Sequence, residues 1–177
     1  PAMLENLKNI LKKPMSKDSI IDHILGLEEH GWIRSNQYIM LHMNDFLERL
    51  PRQVLYDVFI EKSTIFTLSN SNYANVHMQL HQKVIVVNPD IHSRLMKTVD
   101  GHAKAVLGHE LGHIYLAHSR TEDPMEALVD ADEFVCQIGY LDELEEFLHT
   151  QEESVEKMVR LSFITSFYFS QEENKVI

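Results

Sequence analysis

Two histidines four residues apart, with a glutamate beside the first, are the side chains of this chain best suited to chemistry: His109-Glu110-Leu111-Gly112-His113. On an α-helix, positions four apart differ by about 40° of rotation and stand one above the other. Both imidazoles can then reach one metal ion. The Glu110 carboxylate lies next to that line, where it can take a proton from a water on the metal. Zinc-dependent hydrolysis needs this combination, and no general rule of folding does. The chain holds 11 His, so the surroundings of the match matter. Val106, Leu107, Leu111, Ile114 and Leu116 give the motif helical apolar spacing. Gly108 and Gly112, four apart, would each cost about 1 kcal/mol in a helix interior. That cost makes sense where another backbone or a substrate comes close.

Two imidazoles do not complete a site, because a catalytic zinc takes three protein ligands and leaves a position to water. His118 is nine residues from His109, about 180° around the helix, and points away. It suits the end of a helix, facing the macrodipole. The metzincin pattern is excluded, since Leu116 and Ser119 stand where its Gly and third His belong. Downstream, Asp123-Pro124 followed by Glu126 reads as a helix start, with an N-cap, Pro at N1 and Glu at N3. After a turn over 119–122 this helix runs back antiparallel to the first. If the motif helix continues about five or six residues past His113, position 130 comes level with the metal and Glu126 falls one turn early. Asp130 is thus the favoured third ligand, and Glu126 the alternative with a ready capping-box role. Asp132, about 200° from Asp130, is expected to face solvent or cap another element.

His109-Glu110-Leu111-Gly112-His113 with a following helix carrying Ala131-Asp132-Glu133-Phe134 resembles the small gluzincin-type metallopeptidases, above all the ImmA/IrrE-type proteins of phages and mobile elements. The resemblance covers roughly residues 50 to 140. The second helix of those proteins carries a pattern close to E-x-E-A-D/N-x-F-A. Aligned on Ala131, Asp132 and Phe134, its first Glu falls on Leu128, which cannot bind metal, and its second on Asp130. A thermolysin-like E-x-x-x-D register instead uses Glu126 as ligand and Asp130 to orient a ligand histidine. The resemblance implies a zinc peptidase acting on a protein or peptide. It also leaves room for a catalytically silent zinc-binding structural or regulatory protein of a phage or mobile element, although Glu110 has no use in a purely structural site.

With 177 residues, 44% of them hydrophobic, the chain can bury a full core, and no long Gly/Ser/Pro linker divides it. One domain over 1–177 is expected: N-terminal helices over 1–50, sheet and active-site helices over 51–140, acidic helices over 141–177. The lone Cys136 excludes an internal disulfide and suggests a reducing compartment. The N-terminal stretch from Leu4 to Leu11 is a short amphipathic pattern rather than a signal peptide. The longest apolar candidate, Met158 to Phe169, contains Arg160 and stops short of a membrane span. A net charge of −11 argues against a nucleic-acid partner. A soluble, cytoplasmic protein is expected, with neither a nucleic-acid nor a membrane partner.

The elements that must position the motif are also visible. Helices are expected over 17–30 and 36–50, the second ended by Pro51, with Trp32 packed into the core. Helix is favoured over 52–59. Short strands are expected over 63–68, 74–80 and 83–87, with His77 and His81 on or beside the second, and helices over about 92–118, 124–139 and 141–170. The fold class is therefore α+β: a minimal zincin-like domain with a small three-stranded sheet packed on the motif helix. Its free edge could pair with an extended peptide. Tyr140, His102 and Tyr115 are the candidates for a second oxyanion donor.

Overall fold

The computed structural model describes residues 15–69, 83–117 and 123–174. Its first helix, α1 (Lys17–Gly26), opens at Ser16, whose side chain accepts from the Ser19 N–H. A 3₁₀ turn (Glu28–His30) and the short α2 (Gly31–Arg34) lead to α3 (Gln37–Arg49). Asn36 caps α3 by accepting from the N–H groups of Tyr38 and Ile39. Such side-chain oxygens satisfy helix N–H groups that have no partner inside the helix. α3 gives up before Pro51, and α4 (Arg52–Leu55) follows, passing directly into a π-helical turn (Tyr56–Glu61). The helix expected over 52–59 is present, α-helical at its start and widened to a π turn from Tyr56. Trp32 is half-buried against the core, and its indole N–H donates to Phe66 O at 3.4 Å.

Two strands follow, β1 (Ile65–Leu68) and β2 (Val84–Val87). They pair in parallel, from Ile65 opposite Val84 to Leu68 opposite Val87. The sheet among the described residues is thus two-stranded, not the expected three. The expected middle strand over 74–80 lies outside them, as do His77 and His81. Mostly helical with a small parallel sheet, the architecture is compatible with an α+β class.

The single helix expected over 92–118 is two. α5 (Pro89–Leu95) and the motif helix α6 (His102–Tyr115) are separated where Asp100 accepts from the His102 N–H at 3.1 Å. α7 (Pro124–Gln137) begins at the Asp123 cap, as its sequence predicts. The last segment also splits, into α8 (Leu141–His149) and α9 (Val155–Asn174). Lys157, buried, explains the break: its ammonium donates to Gln151 O at 2.9 Å and reaches His149 O at 3.5 Å, covering carbonyls at the end of α8.

One apolar cluster runs from Ile20 to Ile164 and includes Phe46, Leu55, Phe66, Leu107, Leu111, Val135 and Leu144. α6 passes through it, packed on α7, α8, the π turn and β2. Among the described residues no helix is long and apolar enough to cross a membrane.

Candidate metal centre

α6 and α7 approach more closely than ordinary side chains allow, and the two glycines are the reason. A Cβ at Gly112 would sit 3.2 Å from Phe134 Cδ1 and 3.3 Å from Ala131 Cα; one at Gly108 would sit 3.2 Å from Ile138 Cδ1 and 3.4 Å from Val135 Cγ2. The pairing also fixes direction. Moving up α6 from Gly108 to Gly112 moves down α7 from Val135 and Ile138 to Ala131 and Phe134, so the helices are antiparallel.

Into this seam project the two imidazoles. His109 Nε2 and His113 Nε2 lie 3.1 Å apart, with the rings perpendicular. His109 is buried, and its Nδ1 lies 2.8 Å from Asp132 Oδ1. A carboxylate only accepts, so the hydrogen is on Nδ1 and the lone pair on Nε2, aimed at His113. Asp132 is 0% exposed and is held in turn by Arg160 of α9, whose Nε donates to Oδ2 at 2.7 Å and whose Nη2 donates to Oδ1 at 2.8 Å. Arg160 also reaches Glu156 at 3.4 Å. Burial alone would push the Asp132 carboxyl up. Hydrogen bonds from His109 and Arg160, with the Arg160 charge, outweigh it and hold the group below the usual carboxylate range. Burial likewise disfavours the Arg160 cation, but Asp132, with Glu156, more than offsets this and keeps it charged.

The sequence expected Asp132 to face solvent or cap another element. The structure corrects this: Asp132 faces inward and orients His109. Of the four expected ligands, the structure brings His109 and His113 together. Glu126 and Asp130 are both exposed on α7. Among the described residues no group of three His, Cys, Asp or Glu is placed to hold a metal, so neither carboxylate joins the two imidazoles as a third member. The physical reason is rotation rather than height: with Gly112 against Ala131, residue 130 does come about level with His113, but Asp130 and Glu126 lie about 160° and 120° around α7 from the inward Asp132. α6 ends at Tyr115, two residues past His113, and Ala117 has already turned to φ 58°. His118 lies outside the described residues.

Glu110, between the imidazoles in sequence, is exposed and so open to solvent. The three candidate oxyanion donors serve elsewhere. His102 bonds Arg94 and Glu146 at 3.1 Å each. The Tyr115 ring packs on Phe134. Tyr140 is fully buried, its ring 4.4 Å below the Arg49 guanidinium.

Two supporting residues escaped the sequence reading. Arg160 entered it only as a charge interrupting an apolar run, and that interruption was the available signal: a lone cation on a buried helix face needs a partner. Lys62, just past the π turn, donates to Ile114 O at 2.7 Å and Tyr115 O at 3.1 Å, closing the end of the motif helix. Nothing in its local sequence marks that role.

The donor chemistry fits a divalent metal in two positions. Two imidazole nitrogens converge, one with its lone pair fixed by a buried carboxylate, as metal-ligating histidines are commonly held. A family model described as Peptidase family M48 matches residues 44–171, which takes in every residue of this constellation. Comparisons with curated proteins and with solved structures return no match.

Proposed function

The chain belongs to peptidase family M48, a metallopeptidase family, and from that premise we propose that it is a zinc-dependent peptidase hydrolysing peptide bonds of a protein substrate, with Glu110 as general base. The observation that supports this most is the 3.1 Å convergence of His109 Nε2 and His113 Nε2, with Asp132 fixing the His109 tautomer. These two histidines would hold the metal. When bound, zinc polarises a carbonyl oxygen and lowers the pKa of a water to about 7.

The remaining work falls to the chain itself. Asp132, locked by Arg160, keeps His109 Nδ1 protonated and its ring aimed. Gly108 and Gly112 let α7 come close enough for that contact. Glu110 takes a proton from the attacking water and delivers it to the leaving amine.

Glu110→Gln separates an enzyme from a scaffold, because it removes the base and keeps the shape. It should keep the fold and zinc binding, yet lose cleavage of an unfolded protein such as casein by several orders of magnitude. Cleavage by Glu110→Gln at the wild-type rate would show that another group, or no group, acts as base.

A further inference from the structure

The metal-binding role proposed above raises a question the α6–α7 seam answers: what stands where a third protein ligand belongs? His109 meets Asp132 across the antiparallel pair. One turn further along α6 is His113, and one turn back along α7 is Leu128. Positions four apart on a helix differ by only about 40°, so Leu128 shares the face of Asp132, while Glu126 and Asp130 lie about 120° and 160° from it. Gly112 seats against Ala131, which is three residues and about 60° from Leu128, so the same face of α7 is turned toward α6. Burial agrees: Leu128 is half-buried, and Glu126 and Asp130 are exposed. A zinc centre built from two histidines and a carboxylate would take its carboxylate from such a place. Leucine has no lone pair to offer.

We infer that Leu128 occupies the third ligand position of this centre, so that α7 contributes no donor and, among the described residues, a divalent metal is held by His109 and His113 alone, loosely enough to exchange with solution. α7 still contributes Asp132, which aims one imidazole without touching metal. The ligand chemistry is that of a borderline-soft divalent cation that accepts imidazole, with zinc the first to test.

Zinc affinity of the purified full chain, measured by chelator competition, tests this without reference to activity. Leu128→Glu supplies the missing carboxylate and should tighten binding by about 100-fold or more, beyond the roughly 10–100-fold that a partner one bond removed from a metal contributes. Leu128→His offers an imidazole at the same place, should the glutamate disturb α7, and circular dichroism reports the fold of each variant. Glu126→Ala and Asp130→Ala should leave the affinity within about tenfold of wild type. His109→Ala and His113→Ala should each abolish binding. A loss of about 100-fold or more at Glu126→Ala or Asp130→Ala, or no gain from either Leu128 variant while the histidine variants lose zinc, overturns the assignment to Leu128 alone. Unchanged affinity in both histidine variants overturns the metal-binding role with it.

Discussion

Arg160 holds Asp132 with two hydrogen bonds, at 2.7 and 2.8 Å, across the contact between α9 and α7, and Asp132 has no exposed surface. The site is therefore braced from behind by the last helix. An arginine fork is suited to this, since its parallel N–H groups match a carboxylate and stay charged when buried.

Removing one half of the pair should be severe. Arg160→Met leaves a buried carboxylate without its counter-charge, and about 3–5 kcal/mol of stability should be lost in denaturant unfolding of the metal-free protein. Arg160→Met with Asp132→Leu replaces the whole pair by apolar groups and should recover much of that loss. The double variant should still bind zinc about 10–100-fold more weakly, because nothing orients His109. A loss below about 1 kcal/mol for Arg160→Met would mean the pair behaves as a surface contact.

The two motif glycines should not respond alike to alanine. At Gly112 the added methyl meets the Ala131 backbone at 3.3 Å, and at Gly108 it meets side-chain tips of Ile138 and Val135 at 3.2 and 3.4 Å. Overpacking typically costs about 1–3 kcal/mol, against about 1 kcal/mol regained by replacing a helical glycine. Gly112→Ala should therefore lower the melting temperature clearly, and Gly108→Ala less, since tips can move and backbone cannot. The reverse order in thermal melts would refute the backbone-contact argument.

Ala117 terminates α6 in the left-handed region, at φ 58°. A Cβ there is unfavourable, and glycine is the usual residue at this place after a helix. Ala117→Gly should stabilise the protein by roughly 0.5–1 kcal/mol despite the greater freedom it gives the unfolded chain. Chemical denaturation decides it, and a destabilising effect would show that the turn is not held in that conformation.

The sequence shows most of the site because much of it is local. His109, Glu110, His113 and the Asp123-Pro124 start of α7 sit in short-range patterns that a helix period exposes. What it hid depends on how two helices face each other. Asp130 does come about level with His113, but two residues along α7 turn a carboxylate through about 200°, and height alone does not say which face meets α6. That rotation puts Asp132 and Leu128 on the seam face and leaves Asp130 outside it. Arg160, more than forty residues from the motif, and Lys62 act through tertiary contacts that no local pattern encodes. Breaks at residues 96–101 and 150–154 were likewise invisible, because Asp100 and Lys157 cap across turns rather than along a periodic face.

His30 makes the stability of the fold depend on pH. Its side chain is fully buried between α1 and β1, and its Nε2 accepts the Phe66 N–H at 2.9 Å while Nδ1 lies against Ile24 O. A backbone N–H only donates, so the ring must be neutral with its hydrogen on Nδ1. Burial is the main cause that holds its pKa below the ordinary 6.5; the Ile24 contact opposes it without prevailing. Above that value neither folded nor unfolded chain carries a proton here, and the full contribution is present. As pH falls below about 6.5 the unfolded chain binds a proton that the folded ring refuses, so stability drains away until the folded pKa is passed. Wild type should accordingly lose more unfolding free energy between about pH 7.5 and 5.5 than His30→Gln, whose side chain can accept from Phe66 but does not titrate. The variant should be less stable at the upper pH and flatter in its dependence. Parallel pH profiles for the two proteins would show that His30 titrates equally in both states and carries none of the linkage.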